Sequence, residues 1–121
     1  MSAKISTKER LQIDRQKMVE QAAKVRNANF EEVNLGLPEK LALLEAERCL
    51  QCKDPKCVKG CPVNVSIPKF IDLIEQGKLP EAAQCLLNDN ALPSVTGRVC
   101  PQETQCEIEC EIGRASCRER V

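Results

Sequence analysis

Apolar residues recur at helical spacing along much of the chain, and prolines and polar residues separate the segments. Ser6 or Thr7 can cap a first helix, whose loosely spaced apolar face would comprise Leu11, Ile13, Met18, Val19, Ala22 and Ala23. Pro38 predicts the start of a second helix, with Leu41 and Leu44 on one face. This second helix leads directly into Cys49.

Two more helices are predicted in the second half of the chain. Pro68 begins one of them and Gly77 ends it, with an apolar face formed by Phe70, Ile71 and Ile74. Pro80 begins the other, which ends at residues 88–90, the run Asn-Asp-Asn. Both helices have lengths ordinary for a small globular domain.

Cysteine-rich loops are predicted on either side of these two helices. The first runs from Cys49 to Pro68, where Gly60 and Pro62 argue against a continuous helix or a central strand. The second runs from Gly97 to Cys110. Because no strand-like alternation of any length is present, the predicted fold class is all-α, with two cysteine loops.

Composition restricts what such a chain can build. Its 121 residues make one small domain at most, and its aromatic residues are two Phe. A core of this kind is thin and usually needs a further support. The nine Cys are the candidates for it, and the absence of His excludes a mixed Cys/His zinc site and a His-based catalytic pair.

Charge and hydropathy bear on partners and location. Eighteen basic and eighteen acidic residues balance, so we expect no nucleic-acid binding. The first residues carry no apolar segment typical of a secretory signal, and the longest apolar run, residues 41–44, is far too short to cross a bilayer. We therefore expect a cytoplasmic protein without a membrane partner. In the cytoplasm a cysteine-rich chain more often binds metal than forms disulfides.

The last ten residues, 112–121, differ from the rest of the chain. They look like the translation of a common sequencing-adapter oligonucleotide, and an ordinary basic tail is the alternative. We therefore predict a helical domain over residues 1–111, the N-terminal fragment of a larger protein, and a non-native tail over residues 112–121. On this interpretation Cys117 is not a ligand.

The first cysteine run has the spacing C-x2-C-x4-C-x3-C-P, formed by Cys49, Cys52, Cys57 and Cys61. Thiolates are soft ligands suited to iron–sulfur clusters and zinc, but zinc commonly takes two CxxC pairs and one is present. The run is similar to the bacterial ferredoxin pattern, whose fourth cysteine ligates a second cluster. By that logic the first three cysteines share one cluster and Cys61 reaches another.

The second run has the spacing C-x5-C-x3-C, formed by Cys100, Cys106 and Cys110. Two [4Fe-4S] clusters need eight ligands, and the two runs supply seven. Cys85 could be the eighth, but it lies inside the helix that begins at Pro80, where a buried packing residue is the better interpretation. The eighth ligand is then either not a cysteine or beyond residue 111; zinc and disulfides stay open as alternatives to iron–sulfur.

The chain resembles a known family, and the segments that carry the resemblance are residues 25–33, 47–52, 60–63, 67–71, 90–93 and 97–103. It is similar to the N-terminal iron–sulfur domain shared by the small subunit of NADPH-dependent glutamate synthase, dihydropyrimidine dehydrogenase and related flavoproteins. Within this family, the gap between Cys100 and Cys106 and the run at residues 29–32 are closer to the NADH-dependent ferredoxin:NADP oxidoreductase, or sulfide dehydrogenase, type.

The resemblance implies an all-helical, ferredoxin-like domain with two [4Fe-4S] clusters. The ligands of the first cluster would be Cys49, Cys52, Cys57 and Cys110. The ligands of the second cluster would be Cys61, Cys100 and Cys106. In the family a downstream Gln or Glu completes the second cluster, and that residue would fall beyond residue 111, so the second site is incomplete in this chain. The acidic residues near the second run are interpreted as solvated loop charges: Glu103, Glu107, Glu109 and Glu111.

The function implied by the resemblance is electron transfer within an NAD(P)H-dependent flavin oxidoreductase. FAD and NAD(P)H would bind to downstream domains, since this chain holds no G-x-G-x-x-G motif, and the fragment alone is not expected to be catalytic. The partner would be another oxidoreductase subunit or a ferredoxin-type electron carrier. Two other classes stay open, a zinc-stabilised interaction module and a standalone two-cluster ferredoxin-like carrier.

Several residues outside the cysteine runs are candidates for supporting roles. Cations beside the ligands could offset cluster charge or guide a partner, although surface solubility explains the lysines equally well: Lys53, Lys56, Lys59 and Arg98. Arg98 is the strongest of these candidates because it lies within a motif of the resemblance. An apolar interface is predicted from Phe30, Leu35, Leu37 and Leu41.

Overall fold

The computed structural model describes residues 5–112, and this part of the chain is helical. Its α-helices are α1 (Thr7–Arg10), α2 (Ala23–Arg26), α3 (Glu39–Glu47), α4 (Lys56–Gly60), α5 (Ile67–Glu75), α6 (Leu79–Asp89) and α7 (Pro93–Val99). A 3-10 turn follows at Gln102–Thr104. The all-α prediction is confirmed for the described residues. Residues 113–121 of the predicted tail, with Cys117, lie outside them.

The first helix begins where the sequence predicts and ends much earlier. Ser6 forms a capping box, in which its hydroxyl accepts a hydrogen bond from the Glu9 backbone N–H and its own N–H donates to the Glu9 carboxylate. The helix nevertheless ends at Arg10, so the prediction of a long first helix with an apolar face reaching Ala23 is wrong.

Long-range pairing replaces the predicted helix after Arg10. The Val19 N–H donates to the Gly36 carbonyl at 3.1 Å, and the Leu35 N–H donates back to the Val19 carbonyl at 2.8 Å. A single antiparallel bridge joins Glu20 to Asn34 in the same region. Backbone groups that bond to a distant segment are satisfied without helical hydrogen bonds. The apolar residues are also spaced too loosely to form a continuous helix face that could be buried.

Helices α3, α5 and α6 form the packed centre of the domain, since α5 contacts both α3 and α6. Proline in the first turn starts α5 and α6, as predicted. Gly77 adopts a left-handed φ of +73° after α5, where the Gly77 N–H donates to the Ile74 carbonyl and the Lys78 N–H to the Leu73 carbonyl. This Schellman motif reverses the chain, so that α6 packs back on α5.

The core between these helices is as thin as the composition predicts. The buried apolar residues of the described chain are Ala46, Val65, Ala82 and Cys85, and no large side chain is fully buried there. Cys85 is 8% exposed, in agreement with its interpretation as a packing residue of α6. Arg10 is also buried, which the sequence did not indicate.

Short helices occupy parts of the predicted cysteine loops. Helix α4 lies between Cys52 and Cys61, and α7 extends through Gly97 to Val99. The second loop was predicted to begin at Gly97, which is too early, because this residue lies within α7. The helical hydrogen bonding continues to Cys100, whose N–H donates to the Thr96 carbonyl. Among residues 5–112, no helix has the length and apolar character needed to cross a bilayer.

Candidate metal centre

Three cysteines of the first run and one distant cysteine of the second run line one pocket. Cys49, Cys52 and Cys57 come from the end of α3 to the start of α4, and Cys110 comes from the segment after the 3-10 turn. We call these residues the first thiol group. Apolar atoms form most of the remaining wall, contributed mainly by Leu50, Pro55, Pro68 and Ile112.

The backbone between Cys49 and Cys52 is shaped for this arrangement. Gln51 lies in the left-handed region with φ of +50°, a conformation that costs a non-glycine residue about 1–2 kcal/mol. Its side-chain amide donates a hydrogen bond to the Pro68 carbonyl at 3.1 Å, which ties the cysteine turn to the start of α5. The strained turn brings both thiols of the CxxC pair to the same pocket.

The remaining cysteines of the two runs form a second, smaller set, the second thiol group: Cys61, Cys100 and Cys106. Burial raises the pKa of the Cys106 thiol, and nearby negative charge on Glu107, Cys100 and Cys61 raises it further. The Cys100 thiol donates a hydrogen bond to the side-chain oxygen of Gln105 at 3.1 Å. Gln105 is thus the polar side chain in direct contact with this group, a contact that sequence reasoning missed.

Close packing holds the segments of the two runs against each other. A Cβ atom added to Gly60 would lie 2.9 Å from the Gln105 carbonyl oxygen and 3.2 Å from Cγ of Glu109. Only glycine permits this approach of α4 to the second run. The Lys56 ammonium also reaches the Glu111 carboxylate at 2.9 Å. Cys110 consequently lies beside α4, although more than fifty residues separate it from Cys57 in the sequence.

Burial and mutual repulsion raise the pKa of two thiols of the first group. Burial raises the pKa of Cys57 to about 11, with added repulsion from Cys110 and Cys49. Burial also raises the pKa of Cys49, while hydrogen bonding from the Gln51 backbone and the charge of Arg10 oppose the rise. A positive ion or cluster in the pocket would reverse this preference, because ligation requires the thiolate and releases the proton.

The thiols border a space and do not converge on a point. Within residues 5–112, no three Cys, Asp or Glu side chains come close enough together to hold a single metal ion. Four thiolates around one zinc ion, each at about 2.3 Å from it, would have to approach one another within roughly 4 Å. The soft donor set around the pocket suits an iron–sulfur cluster.

The cations predicted to lie near the ligands have separate partners. Arg98 pairs with Glu32, and Lys59 pairs with Asp54 at 2.8 Å, all on exposed side chains. Lys56 alone among the predicted cations lines the pocket. Arg10, which sequence analysis passed over, donates to the carbonyl oxygen of Cys49 at 3.0 Å. No local pattern could have revealed this contact, because the two residues are 39 positions apart.

The acidic residues of the second run are also engaged. Arg15 binds both carboxylate oxygens of Glu107, at 3.1 and 3.0 Å. Glu109 and Glu111 stand at the pocket wall. Their interpretation as simple solvated charges is therefore incomplete.

A helical domain whose two cysteine runs meet around a pocket belongs to the proteins that hold an inorganic group through thiolates. The family can be stated more closely. Residues 26–120 match the family model described as dihydropyrimidine dehydrogenase domain II, 4Fe-4S cluster, and the chain belongs to this family. It is thus a 4Fe-4S electron-transfer domain related to dihydropyrimidine dehydrogenase and the glutamate synthase small chain.

Individual relatives agree with the family match. The chain is 36% identical over 102 residues to the glutamate synthase [NADPH] small chain of Halomonas elongata, covering 84% of this chain and 22% of that protein. It is 40% identical over 89 residues to the Escherichia coli K12 counterpart, covering 74% and 19% respectively. A Salmonella typhi protein named NAD-dependent dihydropyrimidine dehydrogenase subunit PreT homolog is 39% identical over 81 residues, covering 67% and 20%. The chain spans about a fifth of the length of these relatives.

Proposed function

We propose that the chain carries electrons through two [4Fe-4S] clusters as one domain of an NAD(P)H-dependent flavin oxidoreductase similar to the glutamate synthase small subunit. The observation that carries this proposal is the pocket bordered by Cys49, Cys52, Cys57 and Cys110. These four cysteines are the set that the family resemblance implies for one cluster. The other three cysteines of the runs, Cys61, Cys100 and Cys106, would bind the second.

The protein residues define what each site would contribute. Thiolates of the first group would hold the cluster, and the apolar residues of the pocket wall would influence its reduction potential by limiting its contact with water. Each cluster, when bound, takes up and passes on one electron at a time. The seven thiolates would bring much negative charge into a small volume, and cations and backbone N–H groups near them would stabilise that charge.

The second site would need one more ligand. The second thiol group has three members, and in the family a downstream Gln or Glu completes the set. That residue would lie beyond residue 111 of this sequence. We propose that Cys61, Cys100 and Cys106 hold the second cluster together with such a ligand.

The remaining parts of the proposal concern the whole protein. Relatives whose names include NADPH or NAD support a dependence on NAD(P)H, and FAD would bind with it to downstream domains. The partner would be another oxidoreductase subunit or a ferredoxin-type carrier, in the cytoplasm. The closer likeness to the ferredoxin:NADP oxidoreductase or sulfide dehydrogenase type stays a prediction, since the relatives named above do not test it.

Anaerobic reconstitution of the full 121-residue chain with iron and sulfide tests the proposal. We expect the broad brown absorbance of iron–sulfur charge transfer, iron and sulfide in equal amounts, and a paramagnetic signal of reduced [4Fe-4S] clusters. A parallel sample with zinc serves as the control. Stoichiometric zinc binding, with no brown absorbance in the iron sample, would contradict the proposal in favour of a zinc-stabilised interaction module.

The genomic locus distinguishes a domain of a flavoprotein from a standalone carrier. We expect the reading frame after the codon for residue 111 to continue into a strand followed by a glycine-rich turn, typical of a dinucleotide-binding domain. A stop codon at that point would instead favour a two-cluster ferredoxin-like carrier.

A further inference from the structure

We infer that Arg10 is a positioning residue for the first cluster: it holds the backbone at Cys49 and places a buried positive charge behind that ligand. The inference rests on the proposed function, because it concerns the cluster held by the first thiol group. Arg10 precedes residues 26–120, which the family model matches. Its role comes from the contacts of this structure.

The side chain of Arg10 is buried, and its two terminal nitrogens make four hydrogen-bond contacts. Arg10 is 8% exposed, the one buried charged residue among those the structure describes. Its Nη1 donates to the Glu47 carbonyl at 2.7 Å and to the Cys49 carbonyl at 3.0 Å. The same guanidinium forms a two-point ion pair with Glu75, at 3.0 Å from Nη1 and 2.7 Å from Nη2.

These contacts join three elements at the first ligand. Arg10 ends α1, Glu47 ends α3, and Glu75 ends α5. Carbonyls at the end of a helix lack partners within it and carry the negative end of its dipole, so a guanidinium there satisfies them and is stabilised by them. Cys49 follows α3 by two residues, and its position therefore depends on this junction.

The fork of the guanidinium explains why arginine suits this position. It bonds a carboxylate at two points and still donates to two carbonyls, which the single ammonium of lysine cannot do with the same geometry. Burial of such a charge is tolerated because Glu75 compensates it. The two residues act in opposite directions on a cluster that gains an electron: Arg10 favours the added negative charge, and Glu75 opposes it.

Other cations are less suited to this role. Arg98 and its partner Glu32 have side chains that are 61% and 52% exposed, so water and salt screen their field. Lys56 is 45% exposed and pairs with Glu111. A buried cation acts through a lower effective dielectric constant and has more influence at the same distance.

The test measures the reduction potential of the first cluster in the reconstituted full chain. Glu75→Gln removes the opposing charge and leaves the contact of Arg10 with Cys49 in place. Arg10→Gln removes the positive charge, Arg10→Lys keeps it, and Arg10→Gln combined with Glu75→Gln removes both. Redox titration followed by paramagnetic resonance reads the potential, and the signal that survives Cys61→Ala identifies the first cluster.

We expect Glu75→Gln to raise the potential and Arg10→Gln to lower it, each by about tenfold in the equilibrium constant for reduction, which is ~59 mV for one electron. Arg10→Lys should shift it less than Arg10→Gln, and the double variant should return toward the unsubstituted chain. Iron content should fall most in the two variants that lack a cation at position 10.

An unchanged reduction potential in Glu75→Gln would overturn the inference. Shifts in the same direction in Glu75→Gln and Arg10→Gln would also overturn it, because a purely structural role of Arg10 produces no opposite shifts. If Arg10→Gln fails to load iron, Glu75→Gln decides by itself. Failure of the unsubstituted chain to assemble any [4Fe-4S] cluster would instead overturn the proposed function.

Discussion

The two thiol groups differ in how completely the described chain encloses them. The first thiol group has four members around a common pocket, whose wall includes several apolar residues. Arg10 donates a hydrogen bond to the backbone carbonyl of one member, Cys49. The second has three members, and one of them, Cys100, uses its thiol to bond Gln105. Within the described residues the two groups therefore differ in their surroundings, although their donor atoms are of the same kind.

The difference has a structural cause. Closure of the first group depends on Cys110 returning to α4, and the close approach at Gly60 and the Lys56–Glu111 ion pair maintain that return. The second group includes Cys61, which follows α4, and Cys100, which follows α7. The same contact between α4 and the second run therefore supports both groups, and damage at this contact should affect both.

The largest expected effect comes from removing the distant ligand of the first group. Cys110→Ala should abolish the first cluster, because three thiolates and the apolar wall do not complete a four-ligand site. Iron and acid-labile sulfide per chain should fall by about the content of one cluster.

The matched control for this change is Cys85→Ala, which removes a buried packing cysteine of α6. This variant should retain the iron of the unsubstituted chain. Equal iron in Cys110→Ala and the unsubstituted chain would contradict the assignment of Cys110.

Replacement of Cys61 sharpens the division between the two groups. Cys61→Ala should lose the second cluster and spare the first, because Cys61 is the cysteine of the first run that does not line the pocket. Paramagnetic resonance of the reduced protein should show one cluster in place of two. Loss of the first cluster alone would refute the crosswise assignment.

A pair of glycines tests the contact that the groups share. Gly60→Ala should make the reconstituted protein less stable by about 1–3 kcal/mol, because the new methyl group would press against the backbone oxygen of Gln105. Gly97→Ala, in α7, meets nothing within 4 Å and should leave stability unchanged or raise it by up to about 1 kcal/mol. Chemical unfolding, with the rate of iron loss to a chelator, measures both. Equal effects of the two substitutions would argue against the contact.

The smallest expected effect is the pH dependence of the cluster-free chain. The folded protein raises the pKa of Cys57 to about 11 from an ordinary 9.0, so the folded state keeps this proton more tightly than the unfolded state does. Stability is then fully present below about pH 9 and falls as the pH rises toward about 11. Urea unfolding midpoints across this pH range measure the decrease in stability. In Cys57→Ala this decrease should be smaller. A midpoint that increases with pH would contradict the predicted direction.

Local signals in the sequence were sufficient for the central helices. Pro68, Pro80 and Gly77 mark boundaries that depend on the φ angle of the residue itself, and the structure places helix starts and a left-handed turn there. Cys85 was likewise interpretable from its place within a helix. Family membership also followed from motifs in the sequence, and the matching family model confirms it.

The N-terminal segment was not predictable in the same way. Ser6 and Glu9 do form the expected cap, yet the helix ends at Arg10 because residues 19–21 pair with residues 33–36. Helix propensity is a weak preference that long-range hydrogen bonds override. Arg98 was favoured among the cations because it lies within a motif of the resemblance, but in the folded chain it pairs with Glu32.

The sequence by itself determined the helical class, the two cysteine runs, the family and the seven cysteines that are candidates for ligation, because each of these depends on residue type and short-range spacing. The tertiary structure alone decided that Arg10 and Glu75 meet behind Cys49. It also brings Cys110 to the pocket of Cys49, Cys52 and Cys57, a grouping that the family resemblance had implied. Arg10 lies 39 positions from Cys49 and 65 positions from Glu75, and no local spacing encodes these contacts. They follow from the packing of α5 on α3 and of α4 on the second run, which only the folded chain brings about.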